Sequence, residues 1–188
     1  MGVGALKDHR RQAVFLDRDG VLNRGIIRGG RSYPPANLDE LEIPAGVAEA
    51  LQSLKAPGFA LYVVTNQPDI SRGTQTRSMV DQINRSLAAQ LPLDGVYVCP
   101  HDDRDHCGCR KPKPGMLLAA AAEHSISLAD SYMIGDRWRD VEAGQRAGCR
   151  TIWLHAGYAE RAPTNPPDAT LDSLPQAAGW ILERERQR

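Results

Sequence analysis

The stretch AVFLDRDGVLN, residues 13–23, joins an apolar run directly to two aspartates that are one residue apart. The run predicts a buried strand over Ala13–Asp17, and Gly20 allows the chain to turn sharply after it. Aspartate is a poor strand residue, and two carboxylates this close repel each other. We therefore expect a cation beside Asp17 and Asp19.

Further apolar, β-branched runs alternate with longer helical patterns. Strands are expected over Ala60–Thr65, Gly95–Cys99, Ser131–Gly135 and Arg150–Leu154. Helices are expected over Pro44–Ala56, Thr76–Leu91, Pro114–His124, Trp138–Ala147 and Ser173–Glu185. The strand runs are continuously apolar, which is typical of parallel strands covered on both faces. The pattern predicts an α/β fold with a doubly wound, Rossmann-like, mostly parallel sheet and helices on both faces.

The length of 188 residues favours one domain. We expect an N-terminal extension over residues 1–12 and a single domain over 13–188, with loops or a small hairpin inserted over 24–35 and further loops over 99–114 and 155–170. The second loop contains a predicted zinc loop over 99–109. The intervals between strands leave no room for a further domain inserted as a cap over the strand ends, so short loops are expected to surround any ligand bound there.

Amino-acid composition argues against nucleic acid and membranes as partners. Lys+Arg and Asp+Glu are both 23, so no overall field favours nucleic acid. No apolar run approaches the roughly 20 residues of a membrane-spanning helix, and residues 1–12 lack the apolar core of a signal peptide. The expectation is a monomeric cytoplasmic protein whose cysteines are thiols or metal ligands.

The unusual polar residues follow the predicted strands, where ligands bind in such sheets. They are Asp17, Asp19, Thr65, Asn66, Gln67, Arg110, Lys111, Asp136, Arg137 and Asp140. The carboxylates of Asp17, Asp19 and Asp136 form a set of hard oxygen ligands that suits Mg²⁺. Taken singly, each of these residues also has an ordinary role: turn aspartates, a strand-end hydroxyl, a helix N-cap or a solvated lysine.

A second metal site is predicted in the loop CPHDDRDHCGCRKPKPG, residues 99–115. Cys99, His101, Cys107 and Cys109 supply the ligands of a closed tetrahedral Zn²⁺ site, with His106 as a competitor for the imidazole position. The alternative is a group of reduced surface cysteines without metal. The fourth cysteine, Cys149, is predicted to be a small buried apolar residue.

The stretches LDRDGVLN, VVTNQ, CRKPKPG and IGDRWRDVEAG, in this order, resemble the four motifs of the haloacid dehalogenase superfamily of phosphotransferases. The cysteine loop resembles that of a branch containing heptose bisphosphate and histidinol-phosphate phosphatases. The branch has a Cys-Pro-His pattern, which favours His101 over His106 as the zinc ligand.

The resemblance implies a mechanism. Asp17 would be the nucleophile and Asp19 the general acid and base, while Thr65 and Lys111 would hold the transferring phosphoryl group. Catalytic Mg²⁺ would be bound by Asp17, the main-chain carbonyl of Asp19 and Asp136, and Zn²⁺ would be structural. Asp140 is expected to orient Lys111 or a metal-bound water.

The expected substrate is a phosphorylated sugar, and the expected reaction removes the 7-phosphate of D-glycero-D-manno-heptose 1,7-bisphosphate. Candidate substrate-binding residues are Asn23, Asn66, Gln67, Arg72, Arg110 and Arg137. Arg110 suits pairing with an anionic group distal to the reacting phosphate. The alternatives are histidinol phosphate as substrate and, in another class, a phosphorylatable receiver-like signalling domain. Two departures from the family pattern, Pro68-Asp69 and a short zinc loop, leave the substrate and its anomer open.

Overall fold

The structure, a computed structural model, describes residues 11–28, 31–155, 157 and 160–187. Of the predicted N-terminal extension, residues 1–10 lie outside the described residues. The strands are β1 (Ala13–Leu16), β2 (Ile26–Arg28), β3 (Arg31–Tyr33), β4 (Ala60–Asn66), β5 (Gly95–Cys99), β6 (Tyr132–Gly135), β7 (Arg150–Leu154) and β8 (Ala169–Leu171). The helices are α1 (Val47–Lys55), α2 (Asp69–Arg72), α3 (Arg77–Gln90), α4 (Gly115–His124), α5 (Trp138–Ala147) and α6 (Leu174–Arg186).

Six of the strands form one sheet in the order β5-β4-β1-β6-β7-β8. Every neighbouring pair is parallel, so the carboxyl ends of these strands share one edge. The central position of β1 places the end of the AVFL run between β4 and β6. This confirms the predicted doubly wound fold.

The two faces of β1 explain why its sequence is continuously apolar. Val14 and Leu16 point into a core cluster with residues of α1, α3 and α6. Ala13 and Phe15 point into a second cluster on the opposite face, with residues of α4 and α5. All four side chains are fully buried, because successive residues of a strand face opposite sides and both sides are covered.

The predicted helices are confirmed with small shifts at their ends. Helix α1 begins at Val47, three residues after the predicted start at Pro44. Thr76 caps α3, because its hydroxyl accepts a hydrogen bond of 3.1 Å from the amide of Met79. The apolar stripe of α3 faces the first core cluster, and Cys149 is buried in the second, where burial raises the pKa of its thiol to about 12.

Two elements, β8 and α2, were not predicted from the sequence. Strand β8 begins in the segment 155–170, which was predicted to be irregular; it is three residues long and pairs with β7. Helix α2 is a single turn directly after β4. Such short elements carry no hydrophobic periodicity. Strands β2 and β3 form an antiparallel hairpin, which was one of the two predictions for residues 24–35.

Within the described residues, no separate cap domain follows β1 or β4, as predicted from the short intervals. In the same part of the chain, no helix has the length and apolar character that a membrane crossing requires.

Candidate active site

The sheet brings the predicted strand-end residues together. Asp17 follows β1, Thr65 lies at the end of β4, and Asp136 follows β6, and these three strands are adjacent. All three side chains are buried. Their convergence follows from the parallel pairing alone, because adjacent parallel strands end at the same edge.

A buried lysine connects two of the carboxylates. Nζ of Lys111 lies 2.7 Å from Oδ1 of Asp17 and 2.6 Å from Oδ1 of Asp140, and it donates a hydrogen bond of 2.7 Å to the carbonyl of Val64. Burial opposes the charge of Lys111, but the carboxylates of Asp140 and Asp17 raise its pKa above the ordinary lysine value. The prediction that Asp140 orients Lys111 agrees with this contact.

The protonation of Asp17 reflects the same surroundings. The pKa of this carboxyl is raised to about 6: burial raises it most, the ammonium of Lys111 lowers it, and the charges of Asp140 and Asp19 raise it. The amide of Asp17 donates a hydrogen bond of 2.9 Å to the carbonyl of Ile134 in β6, which fixes the backbone at this point.

Four hydrogen bonds fix the carboxylate of Asp19. Arg18 donates to both carboxylate oxygens at 3.1 and 3.0 Å, Asn23 donates to Oδ1 at 3.1 Å, and Gln67 donates to Oδ2 at 2.7 Å. Gly20, at a φ of 95°, forms the turn that returns the chain to Asn23. The structure thus places Asn23 and Gln67 as buried supports of Asp19 rather than on the surface of the cleft.

Asn66 anchors the segment that carries Lys111. Its side-chain amide donates to the carbonyl of Lys111 and accepts from the amide of Lys111, each at 3.1 Å. This pair of hydrogen bonds joins the end of β4 to the loop after β5. It explains how an ammonium so far along the chain from Asp17 comes to lie beside it.

The carboxylate cluster suits a divalent cation. Ligand oxygens of Asp17, Asp136 and Asp140 lie within 4.8 Å of one another, and all three residues are buried. The single ammonium of Lys111 offsets less charge than three carboxylates carry, and hard oxygen ligands are those that Mg²⁺ prefers. The side chain of Asp19 is not part of this group; its predicted contribution is the main-chain carbonyl.

The predicted zinc ligands also come together. Ligand atoms of Cys99, His101, Cys107 and Cys109 lie within 4.8 Å of one another. The sulfur–sulfur distances are 3.2, 3.4 and 3.7 Å, and Nδ1 of His101 lies 3.3 Å from Sγ of Cys109. A tetrahedron with Zn–S bonds of about 2.3 Å has edges of about 3.8 Å. The donor set and its dimensions therefore suit structural zinc, and His106 lies outside the group.

The zinc loop is attached to α2 at the rim of the site. Arg72 donates to both oxygens of Asp102 at 2.6 and 3.1 Å, and the hydroxyl of Ser71 donates to Asp105 at 2.8 Å. The loop ends at Cys109, which is followed directly by Arg110 and Lys111. A metal bound at Cys109 would thus fix the start of the segment that delivers these two cations.

An open cleft of about 520 Å³ lies over these groups. The predicted residues that line it are Asp17, Asp19, Thr65, Asn66, Arg72, Arg110, Lys111 and Arg137. Sequence reasoning missed further lining residues, among them Ser32, Tyr33, Asp103, Trp138, Arg139 and Arg161. Asp140 also lines the cleft.

Asp103 lies in the predicted zinc loop without being one of its ligands, and the other missed residues belong to no metal-ligand or nucleophile pattern. Trp138 and Arg139 form the first turn of α5, directly after the strand-end residue Asp136. That position was a usable signal, because the first turn of a helix after a strand faces the same edge of the sheet. Arg161 comes from the long connection between β7 and β8, and its guanidinium carbon lies 3.5 Å from the centre of the Trp138 ring.

A parallel α/β sheet with two aspartates after its first strand, a threonine at the end of the next and a lysine held beside the first aspartate defines a hydrolase of the HAD-like class. The family model described as HAD-hydrolase-like matches residues 108–177. The relatives below match across most of the chain. The chain belongs to the HAD-like hydrolase family.

The relatives carry more specific names. A protein of Helicobacter pylori strain J99 named D-glycero-beta-D-manno-heptose-1,7-bisphosphate 7-phosphatase is 41% identical, and the match covers 90% of this chain and 97% of that protein. A protein of the same name from Escherichia coli K12 is 40% identical over 90% of this chain and 87% of that protein.

A solved structure agrees with both. The crystal structure of D,D-heptose 1,7-bisphosphate phosphatase from B. bronchiseptica, complexed with magnesium and phosphate, matches with a TM-score of 0.74. It is 26% identical, and the match covers 92% of this chain and 99% of that one. Its bound magnesium and phosphate agree with the ligand chemistry of the carboxylate cluster described above.

Substitution of Gly135 tests how closely the Asp140 side chain is packed against it. A methyl group on this residue would overlap the Asp140 side chain. We expect Gly135→Ala to displace Asp140 from Lys111 and to lower the free energy of unfolding by about 1–3 kcal/mol, as overpacking does. Urea denaturation measures this, and Gly179→Ala, where nothing lies within 4 Å, is the matched control. Equal stability of Gly135→Ala and Gly179→Ala would contradict the expectation.

Removal of zinc tests the role of the cysteine loop. We expect that chelation, verified by metal analysis, disorders this loop and lowers phosphatase activity while the sheet persists, because Cys99 is the one member of the four-residue cluster that lies in a strand. Circular dichroism, melting curves and limited proteolysis of residues 99–114 provide readouts besides activity. An unchanged melting curve together with equal turnover after verified removal would contradict the prediction.

Proposed function

We propose that the protein is a Mg²⁺-dependent phosphatase that removes the 7-phosphate of D-glycero-D-manno-heptose 1,7-bisphosphate through an aspartyl phosphate. The observation that carries the proposal is the placement of Asp17, buried beside Lys111 and clustered with Asp136 at an open cleft. The names of relatives about 40% identical over nine-tenths of the chain support the choice of substrate.

In the proposed first step, an oxygen of Asp17 attacks the phosphorus in line with the leaving sugar oxygen. The new bond joins the carboxylate to phosphorus, and the bond from phosphorus to the sugar oxygen breaks. Bound Mg²⁺, held by Asp17, Asp136 and the carbonyl of Asp19, would neutralise phosphate charge. Lys111, held by Asp140, offsets charge on the transferring oxygens.

Asp19 is proposed to be the proton-transfer group. It gives a proton to the departing sugar oxygen and then takes one from the water that hydrolyses the aspartyl phosphate, which returns Asp17 to its starting form. The hydrogen bonds from Arg18, Asn23 and Gln67 hold its carboxylate in one orientation. We assign Asn23 and Gln67 this supporting role in place of direct substrate contact.

Thr65 is proposed to bind the transferring phosphoryl group. Its Oγ1 accepts a hydrogen bond of 2.9 Å from Gln67. Because that contact uses an oxygen lone pair, the hydroxyl proton of Thr65 can be donated to a phosphoryl oxygen. The same side-chain amide of Gln67 contacts Asp19, so one residue orients both groups.

Substrate selection is proposed to rest on the rim of the cleft. Arg72, Arg110 and Arg137 all line it, and guanidinium groups suit phosphate because they can donate two parallel hydrogen bonds. The side chain of Asn66 is engaged with the backbone of Lys111, so we assign it a positioning role. Histidinol phosphate is the comparison substrate, since a cationic amine would favour carboxylates over these arginines.

Further proposals concern the state of the protein in the cell. We propose that residues 13–188 act as one phosphatase domain, that the protein is a monomer, and that it works in the cytoplasm. The single six-stranded sheet, whose first strand in chain order is β1 and whose last is β8, with α6 packed on one face, supports the first of these. The receiver-like alternative is set aside, because the relatives are named phosphatases and the acidic pair follows the first strand.

Substitution of the proposed nucleophile tests the function. We expect Asp17→Asn to lower phosphate release from heptose 1,7-bisphosphate at least about 10³-fold, because the amide cannot form the aspartyl phosphate. Colorimetric phosphate release with Mg²⁺ measures this for both anomers, histidinol phosphate and simple sugar phosphates. Asp172→Asn, at an exposed residue outside the cleft, is the control.

Two results would overturn the proposal. Asp17→Asn with activity close to that of Asp172→Asn would remove the nucleophile assignment. Faster release from histidinol phosphate than from either heptose anomer by the unaltered protein would replace the proposed substrate and leave the chemistry intact.

A further inference from the structure

Arg110 and Arg139 meet at one carboxylate of the zinc loop. Nε of Arg110 lies 2.8 Å from Oδ1 of Asp103, and NH1 of Arg139 lies 2.9 Å from the same oxygen. NH2 of Arg139 lies 3.3 Å from Oδ2. Arg110 also donates a hydrogen bond of 3.1 Å to the carbonyl of His101, and both guanidinium groups contact Asp103.

The other cations that line the cleft in the described part of the chain contact different carboxylates. Their pairs are Arg72 with Asp69 and Asp102, Lys111 with Asp17 and Asp140, Arg137 with Glu160, and Arg161 with Glu142. Glu142 is also shared, but its second partner, Arg146, lies outside the cleft. Arg110 and Arg139 are therefore the cleft-lining pair that shares a single carboxylate, and an excess of positive charge lies between them.

The position of this pair relative to the reacting centre follows from the sequence. Arg110 directly precedes Lys111, and Arg139 directly precedes Asp140. Lys111 and Asp140 are in contact with each other, and Lys111 contacts Asp17. Each arginine is thus the chain neighbour of a residue beside the proposed nucleophile Asp17, and the two arginines lie on separate elements. Both arginines line the same cleft as Asp17.

We propose that Arg139 is a substrate-binding residue that, together with Arg110, binds the phosphate that is not transferred. The inference rests on the proposed function, because it assigns the second phosphate of a sugar bisphosphate to this site. A phosphate dianion offsets the excess positive charge, and a guanidinium has five N–H donors, more than the contacts to Asp103 use. Arg139 makes the site specific for bisphosphates over monophosphates.

The test compares two substrates that differ only in the distal group, heptose 1,7-bisphosphate and heptose 7-phosphate. We expect Arg139→Gln to raise KM for the bisphosphate about 10- to 100-fold, the range for losing a hydrogen bond to a charged group. The kcat of this variant for the bisphosphate should stay within about 2-fold of the value for the unaltered protein. The same limit applies to kcat and KM for the monophosphate. Turnover of the monophosphate also shows that the variant is folded.

Matched variants separate the proposed contact from a general charge effect. Arg85→Gln removes one positive charge at an exposed residue of α3 outside the cleft, and it should leave both substrates unaffected. Arg139→Lys keeps the positive charge but lacks the planar guanidinium, so its KM for the bisphosphate should lie between the values for the unaltered protein and for Arg139→Gln. Equal losses on both substrates, or an unchanged KM for the bisphosphate in Arg139→Gln, would overturn the inference.

A binding titration keeps this result distinct from the proposed function. In the Asp17→Asn background, in which turnover is expected to be at least about 10³-fold slower, we expect the bisphosphate to bind more tightly than the monophosphate. Arg139→Gln in that background should remove the difference. If the double variant still bound the bisphosphate more tightly than the monophosphate, the role of Arg139 would be refuted, while the proposed function would stand. Failure of the unaltered protein to release phosphate from the bisphosphate would refute the proposed function instead.

Discussion

The site depends on one buried contact, the ammonium of Lys111 held between the carboxylates of Asp17 and Asp140. Buried charges are costly unless they are paired, and removing one partner of such a pair costs about 3–5 kcal/mol. The three residues come from the end of β1, the first turn of α5 and the loop after β5. The contact therefore fixes three otherwise separate segments at the carboxyl edge of the sheet.

The zinc loop helps to position Lys111 for this contact. Cys109 lies two residues before Lys111, and the reciprocal hydrogen bonds between Asn66 and the backbone of Lys111 fasten the same segment to β4. Arg72 of α2 also binds Asp102 of the loop. The loop is thus joined both to the end of β4 and to the helix that follows it. This explains how a metal remote from the reaction can govern the geometry of the reacting groups.

The central sheet and the carboxylate cluster could be predicted from the sequence because they follow from local patterns. A continuously apolar run such as AVFL indicates a strand buried on both faces, and parallel pairing then brings Asp17 and Asp136 to one edge. The rim could not be predicted in the same way. The contacts of Arg139 and Arg161 depend on where long side chains from separate loops meet. The burial of Asn23 and Gln67 behind Asp19 depends on the turn at Gly20, whose direction the sequence alone leaves open.

The balance of charge in the cleft has a consequence for recognition. The chain has equal numbers of basic and acidic residues, so attraction of an anionic substrate cannot come from net charge. It has to come from local imbalance, and most cleft cations are already neutralised by carboxylates of the protein itself. A phosphate that binds beside Lys111 adds charge to a centre already rich in carboxylates, which requires a divalent cation there. A second phosphate meets the opposite situation where Arg110 and Arg139 share Asp103. In the proposed binding mode, one phosphate binds through a metal beside Asp17 and the other through the guanidinium groups of Arg110 and Arg139, and this difference would orient a bisphosphate in one direction.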